Sequence, residues 1–349
     1  MAAGAGNFFE DFRAGQVLRH APPRTLTEGD QALYTALYGA RFATQSSVEF
    51  ARALGLPAAP LDDLLVFHTV FGKTVPEISL NAIANLGYAD CRFQKPVFAG
   101  DTLSAESEVL GTRENANRES GIVYVRSTGF NQRGEAVLTY ARWVMVRKRA
   151  KDAAVPPPHV PDLPKAVAVD ALRIFAEKAL DAGRRGATGG ARFFDDYAQG
   201  QRFDHADGTT VEEAEHMMAT RLYHNTARVH FNAHAERQGR FGKRIVYGGH
   251  VISVARSLSY NGFENALFVA GINAGRHVSP CFAGDTVYAW SEIVEKQAHP
   301  SRSDWGYLRL RTLAAKDRTC SDFPDKLADG SYDPSILLDL NYWVAVPRA

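Results

Sequence analysis

The chain has 349 residues, a formal net charge of +1 and 45% hydrophobic residues, and a chain of this length is longer than one hydrophobic core usually sustains, so two domains are expected. The near-neutral balance, without a basic tract or an acidic tail, argues against a nucleic-acid partner, and no apolar run approaches the ~20 residues of a membrane span. Cys91, Cys281 and Cys320 are scattered with no CxxC pair, which fits a reducing compartment and argues against a disulfide framework or a cysteine-rich metal site.

The opening MAAGAGNFFEDFRAG has no basic start followed by an apolar core, so no signal peptide is expected and the location is expected to be cytoplasmic. From there NFFEDFRAGQVLRHA (7–21) leads through a Thr-containing segment to Leu37–Tyr38. PVFAGDTL (96–103) then enters a strand in which Leu103, Ala105, Ser107 and Val109 alternate with polar neighbours, the mark of one buried face. A later strand carries Trp143–Val144. AKDAAVPPPHVPDLP (150–164) reads as an extended, semi-rigid linker, and the apolar spacing of 165–183 predicts an amphipathic connecting helix.

The same order then returns. RFFDDYAQGQRFDHA (192–206) resembles the 7–21 stretch, and PCFAGDTV (280–287) shares six of eight letters with 96–103. The matches keep a separation of about 185 residues, the signature of a tandem repeat. Helices are predicted over 211–223, over 229–239 with Gly239 as its stop, and over 248–262. Strands are predicted over 266–278, 285–296, 306–315 and 338–346, with 317–335 as an inserted loop. The expected organisation is residues 1–149 as one domain, 150–190 as linker and connecting helix, and 191–349 as the second domain. The expected class is α+β, with each half an antiparallel sheet wrapped around a long central helix.

These motifs and their order resemble the MaoC-like hydratase family of the hot-dog fold, over both halves, so the chain is similar to a double hot-dog. The stretch matching the family's catalytic signature is YHNTARVHFN (223–232), followed by RIVYGGHVISVA (244–255). The resemblance implies His230 as catalytic histidine and Asn225 at the position of the family's aspartate. It also implies Gly248, with Gly249 assisting, as the backbone donor to a thioester carbonyl. Asn departs from Asp in that an amide orients water but does not take its proton. The first half places Ala40 and Gln45, or in the alternative alignment Arg41 and Ser46, opposite the pair, and reads as a degenerate copy.

The implied chemistry is reversible addition of water to a branched, dicarboxylic enoyl-CoA. Coenzyme A belongs to the substrate, no cofactor or metal is expected, and a homodimer is compatible with the fold. Histidine suits proton transfer near neutral pH, and N–H groups opening a helix suit the developing oxyanion. His224, His230 and His234 have metal-like spacing, yet no carboxylate or cysteine completes a set. A dicarboxylic substrate calls for an arginine, for which Arg228 is the candidate, with Arg221 and Arg256 nearby; His250 is a candidate pocket residue. Lys243 and Arg244 are candidates for the coenzyme phosphates. The competing readings are a thioesterase on the same fold and a non-catalytic acyl-CoA-binding protein.

Overall fold

The repeated FAGD letters close the same turn twice. In the computed structural model, which describes residues 6–349, Gly100 and Gly284 adopt φ of 96° and 94°, a left-handed conformation that favours glycine. Asp101 N–H donates to Phe98 O at 3.0 Å and Asp285 N–H to Phe282 O at 3.1 Å. Each aspartate carboxylate then accepts from the N–H of the turn's phenylalanine, at 2.9 Å in both copies. The turns are stitched to the chain preceding the first helix of each half, through Gly100 N–H to Leu26 O and Gly284 N–H to Val211 O, both 2.8 Å. Backbone geometry therefore demands these letters, independent of any chemistry.

The first half runs through strand β1 (Val17–Thr25), helix α1 (Glu28–Tyr38), short helices α2 (Ala43–Ser46) and α3 (Val48–Ala53), and helix α4 (Asp63–Thr74). Strands β2 (Ala82–Phe93), β3 (Thr102–Glu114), β4 (Ser120–Phe130) and β5 (Ala136–Arg147) follow. The second half has β6 (Arg202–Asp204), β7 (Thr209–Thr210), α5 (Glu213–Leu222), α6 (Ala233–Glu236) and α7 (Gly248–Leu258). It closes with β8 (Phe268–His277), β9 (Thr286–Ala298), β10 (Trp305–Lys316) and β11 (Ile336–Pro347). The strands form one antiparallel sheet in the order β1-β3-β4-β5-β2-β8-β11-β10-β9-β6, with β7 also on β9. The halves join through β2 and β8, where Tyr88 faces Gly275 and Cys91 faces Ile272.

Every residue of α4 is buried, and so is α7 from Gly249 onward; a helix apolar around most of its circumference has to be wrapped. The two helices share one core with the inner face of the sheet. The α+β double hot-dog expectation is met. Corresponding side chains also recur: His20 Nε2 lies 2.8 Å from Ser107 Oγ, and His205 Nε2 2.8 Å from Ser291 Oγ.

Two predicted helices are absent. Residues 165–183 hold a three-residue 3-10 turn (Val169–Ala171) and the start of another (Ala182–Thr188). Their apolar residues Val167, Leu172, Ala176 and Leu180 are buried in a cluster with Phe268, Trp305 and Trp343. The backbone donors go to distant partners: Val167 N–H to Asn273 Oδ1 at 2.8 Å, and Glu177 and Lys178 N–H to Leu54 O at 2.9 and 3.0 Å. Tertiary acceptors thus replace the helical ladder. Residues 229–239 form a 3-10 turn (Arg228–His230) and the single turn of α6. Asn232 restarts the chain as an N-cap, its Oδ1 accepting from Ala235 N–H at 3.0 Å.

Candidate active site

Helix α5 ends at Leu222 and the chain turns sharply through His224, whose φ is 51°. Gly39 makes the same left-handed turn after α1, at φ 61°, so Ala40 and Gln45 are the first-half counterparts of Asn225 and His230, and Arg41 and Ser46 are not. The turn packs against α4: a Cβ placed on Gly72 would lie 1.8 Å from Tyr223 O. A first-half helix thereby supports the loop carrying the second half's candidate residues.

Asn225 is buried, and its Oδ1 accepts from Ala227 N–H at 3.0 Å, an Asx turn that fixes the amide plane. No hydrogen bond of its Nδ2 is found among the described residues. His230 is half-buried, and its Nδ1 lies 3.0 Å from Ile245 O. A carbonyl can only accept, so Nδ1 carries the proton and Nε2 keeps its lone pair. Burial pushes His230 down to about 4, against the opposing Ile245 carbonyl and with help from His216, so the ring is neutral near pH 7. Ile245 N–H returns to Val229 O at 3.1 Å, locking the histidine segment to the strand-like stretch before α7.

Tyr247, whose ring centroid is 5.6 Å from that of His230, is the N-cap of α7 and makes no side-chain cap. The N–H groups of Gly248 and Gly249 open the helix without a protein acceptor among the described residues. Such donors are aligned in advance and suit an oxyanion. Both glycines are sterically required. A Cβ on Gly248 would lie 2.4 Å from the His277 ring, and one on Gly249 2.3 Å from Tyr247 and 2.6 Å from His68. His230, Tyr247, Gly248 and His277 therefore border one region.

His250 follows Gly249 on α7 and is buried, with Nδ1 3.1 Å from the Tyr38 hydroxyl, part of the packing between the halves. Arg228 is exposed. Arg256 is buried, donating to Ser259 Oγ at 3.2 Å and Ala266 O at 2.5 Å. Arg221 is exposed. Arg244 is tied to Glu213 and to Phe231 O, and Lys243 lies 4.1 Å from the Phe282 ring centre.

Sequence reasoning missed the residues that reach the site from other elements. His68 on α4 lies 3.1 Å from Ser253 Oγ and 3.4 Å from Tyr247 Oη. His277, at the end of β8, has Nε2 3.1 Å from the Tyr88 hydroxyl of β2. Burial pushes His68 to about 3 and His277 to about 4. The packing of α4 on α7 and the β2–β8 joint bring these first-half and second-half side chains together, and no local pattern announces it.

The family model described as mesaconyl-CoA hydratase matches residues 2–156, and that described as MaoC like domain matches residues 196–305. A β-methylmalyl-CoA dehydratase of Chloroflexus aurantiacus is 61% identical over 343 residues, 98% of this chain and 97% of the relative. A mesaconyl-CoA hydratase of Cereibacter sphaeroides is 56% identical over 348 residues, with 100% of both chains covered. A solved MaoC domain protein from Chloroflexus aurantiacus superposes with a TM-score of 0.97 at 60% identity, covering 100% of this chain and 99% of the other. A double hot-dog protein of Mycobacterium tuberculosis superposes with a TM-score of 0.72 at 25% identity, covering 98% of each. With this likeness along its whole length, and the glycine-opened helix beside a neutral histidine, the chain belongs to the mesaconyl-CoA hydratase family of double hot-dog, MaoC-like proteins.

Proposed function

We propose that the protein is a hydro-lyase that reversibly adds water to a branched, dicarboxylic enoyl-CoA, converting mesaconyl-CoA to β-methylmalyl-CoA. The observation carrying this reading is the His230 Nδ1–Ile245 O bond, which leaves a neutral Nε2 beside the free N–H groups opening α7.

The thioester oxygen accepts from Gly248 N–H, with Gly249 assisting, and these donors strengthen as negative charge develops there. Asn225 Nδ2 donates to the attacking water and holds it in place. His230 Nε2 takes a proton from the water as its oxygen bonds to the β-carbon. The double-bond electrons pass toward the thioester oxygen, and the imidazolium returns its proton to the α-carbon. The ring ends neutral, so one histidine serves both steps. No cofactor enters the scheme, coenzyme A being part of the substrate. In this reading residues 191–349 carry the chemistry, residues 1–149 are the degenerate copy that supports it, and 150–190 connect them.

Incubation with mesaconyl-CoA and, separately, crotonyl-CoA tests the assignment through loss of enoyl-thioester absorbance and product mass. Gain of one water, with mesaconyl-CoA preferred, is expected. Release of free coenzyme A thiol would establish a thioesterase instead, and binding without turnover a non-catalytic acyl-CoA-binding protein.

A further inference from the structure

Arg142 on β5 is completely buried, and among the described residues it forms no salt bridge. Its Nη2 donates to Thr74 Oγ1 at 2.7 Å and, more weakly, to Ser79 Oγ at 3.4 Å. Its Nε and Nη1 have no partner. A buried guanidinium without a carboxylate is costly unless something supplies one. The guanidinium lies 4.2 Å from the Phe71 ring centre, and Phe71 packs 5.7 Å from Tyr247 between ring centres. Across the sheet Arg142 is paired with Tyr88, whose hydroxyl reaches His277, the ring lying over Gly248. Two contact paths, through Phe71 and through Tyr88, thus connect Arg142 to the glycine end of α7.

The repeat supplies a second view. His68 and Ser253 hold corresponding places on α4 and α7 and touch each other. On the same alignment Asp62 and Asp63 correspond to Tyr247 and Gly248, and Phe71 corresponds to Arg256. The degenerate site therefore also has a buried arginine, Arg256, placed on the helix instead of the strand. Its charge acts on Asp62 and Asp63, the carboxylates that open α4. Arg142 acts in the same manner toward Tyr247, but here no carboxylate is built into the chain. One half holds its own arginine and carboxylates, whereas the other holds an arginine only.

We propose that Arg142 anchors the free carboxylate of the dicarboxylic acyl group, and this rests on the hydratase reading above. The free Nε–H and Nη1–H lie on opposite edges of the planar guanidinium, so a carboxylate accepts from either one with the charge of the whole group behind it. Arg142 is thus a specificity-determining residue, and the exposed Arg228 is not needed for that role. A monocarboxylic enoyl-CoA would leave the guanidinium unpaired.

The test is binding by calorimetry to a His230→Ala protein, which holds a thioester without turning it over, with and without Arg142→Gln. Gln removes the charge and stops short of Thr74. The expected result is that Arg142→Gln weakens mesaconyl-CoA on the order of 100-fold more than crotonyl-CoA, the scale of removing one partner of a buried charge pair. Equal weakening of both thioesters, no weakening, or no binding of mesaconyl-CoA before the Arg142 change overturns the assignment. If the Gln variant does not fold, Arg142→Lys keeps the charge and loses the two directed N–H donors. At least a tenfold loss of preference is then expected, and an unchanged preference overturns it. Turnover by the unmutated protein separates the two claims: hydration of neither thioester sinks the hydratase reading, while the binding series still decides Arg142.

Discussion

Tyr38 and Tyr223 end corresponding helices of the two halves, and the Tyr223 hydroxyl donates to the Tyr38 oxygen at 2.8 Å. The Tyr38 proton is then free to point at His250 Nδ1, 3.1 Å away. Both tyrosines are buried, and burial raises each phenol well above its ordinary value, so both remain protonated donors. The contact ties α1 to α5 and anchors the residue just before the candidate catalytic loop.

Tyr38→Phe removes the acceptor and leaves the Tyr223 hydroxyl buried without a partner, a loss of about 1–3 kcal/mol. Tyr223→Phe leaves Tyr38 its His250 partner and costs less. The double variant should be less destabilised than the sum of the two, by at least about 0.5 kcal/mol. Denaturant unfolding of the four proteins measures this; strict additivity would mean that the hydroxyls are not coupled.

Gly72 tests the support of one half by the other. Because a Cβ there would overlap Tyr223 O, Gly72→Ala must displace either α4 or the 223–225 turn. A stability loss of about 1–3 kcal/mol is expected from such overpacking. Turnover of mesaconyl-CoA should also fall, although residue 72 lies in the half without the candidate catalytic pair. Normal turnover and stability would show that the turn is free to relax.

Gly248→Ala drives a methyl group into the His277 ring while leaving the backbone N–H in place. If this donor serves the oxyanion, misplacing it lowers kcat by about 10²–10³-fold, the effect of losing one such donor. KM should move much less. A change confined to KM, read from steady-state rates, would make the glycine a binding residue only.

His68, His205 and His250 are fully buried, and burial holds them at about 3, 4 and 3. Their folded values lie below the unfolded value near 6.5. The unfolded chain thus binds more protons as pH falls, and stability present above about 6.5 is lost on acidification through the folded values. Uptake of up to about three protons on unfolding near pH 5 is expected from these groups. Denaturant unfolding across pH 4–8 tests the sign; stability constant down to pH 4.5 would contradict it. The same logic puts the acid limb of kcat/KM near 4, the value of His230, well below the ordinary histidine value.

Local letters revealed much of the frame. The FAGD turns, the alternating strands and the apolar run of α7 are encoded by neighbouring residues, and so is the Asn225–His230 loop once the family likeness is noticed. The connector at 165–183 misled because its apolar spacing resembles a helix, while its N–H groups are claimed by Asn273 and Leu54, far away in sequence. His68, Tyr88 and Arg142 were missed for a related reason. Each lies in the half lacking the candidate catalytic pair, and the contacts that carry that half to the site, α4 on α7 and β2 beside β8, are long-range.

The most direct measurement is turnover of mesaconyl-CoA by His230→Asn, compared with the unmutated protein. The Asn amide nitrogen falls near the Nδ1 position and can still donate to Ile245 O, but no base remains at the Nε2 position. A fall in kcat of about 10²–10⁴-fold, with KM changed only a few-fold, is the predicted result. Near-normal turnover would contradict the account and place the proton transfer on another residue.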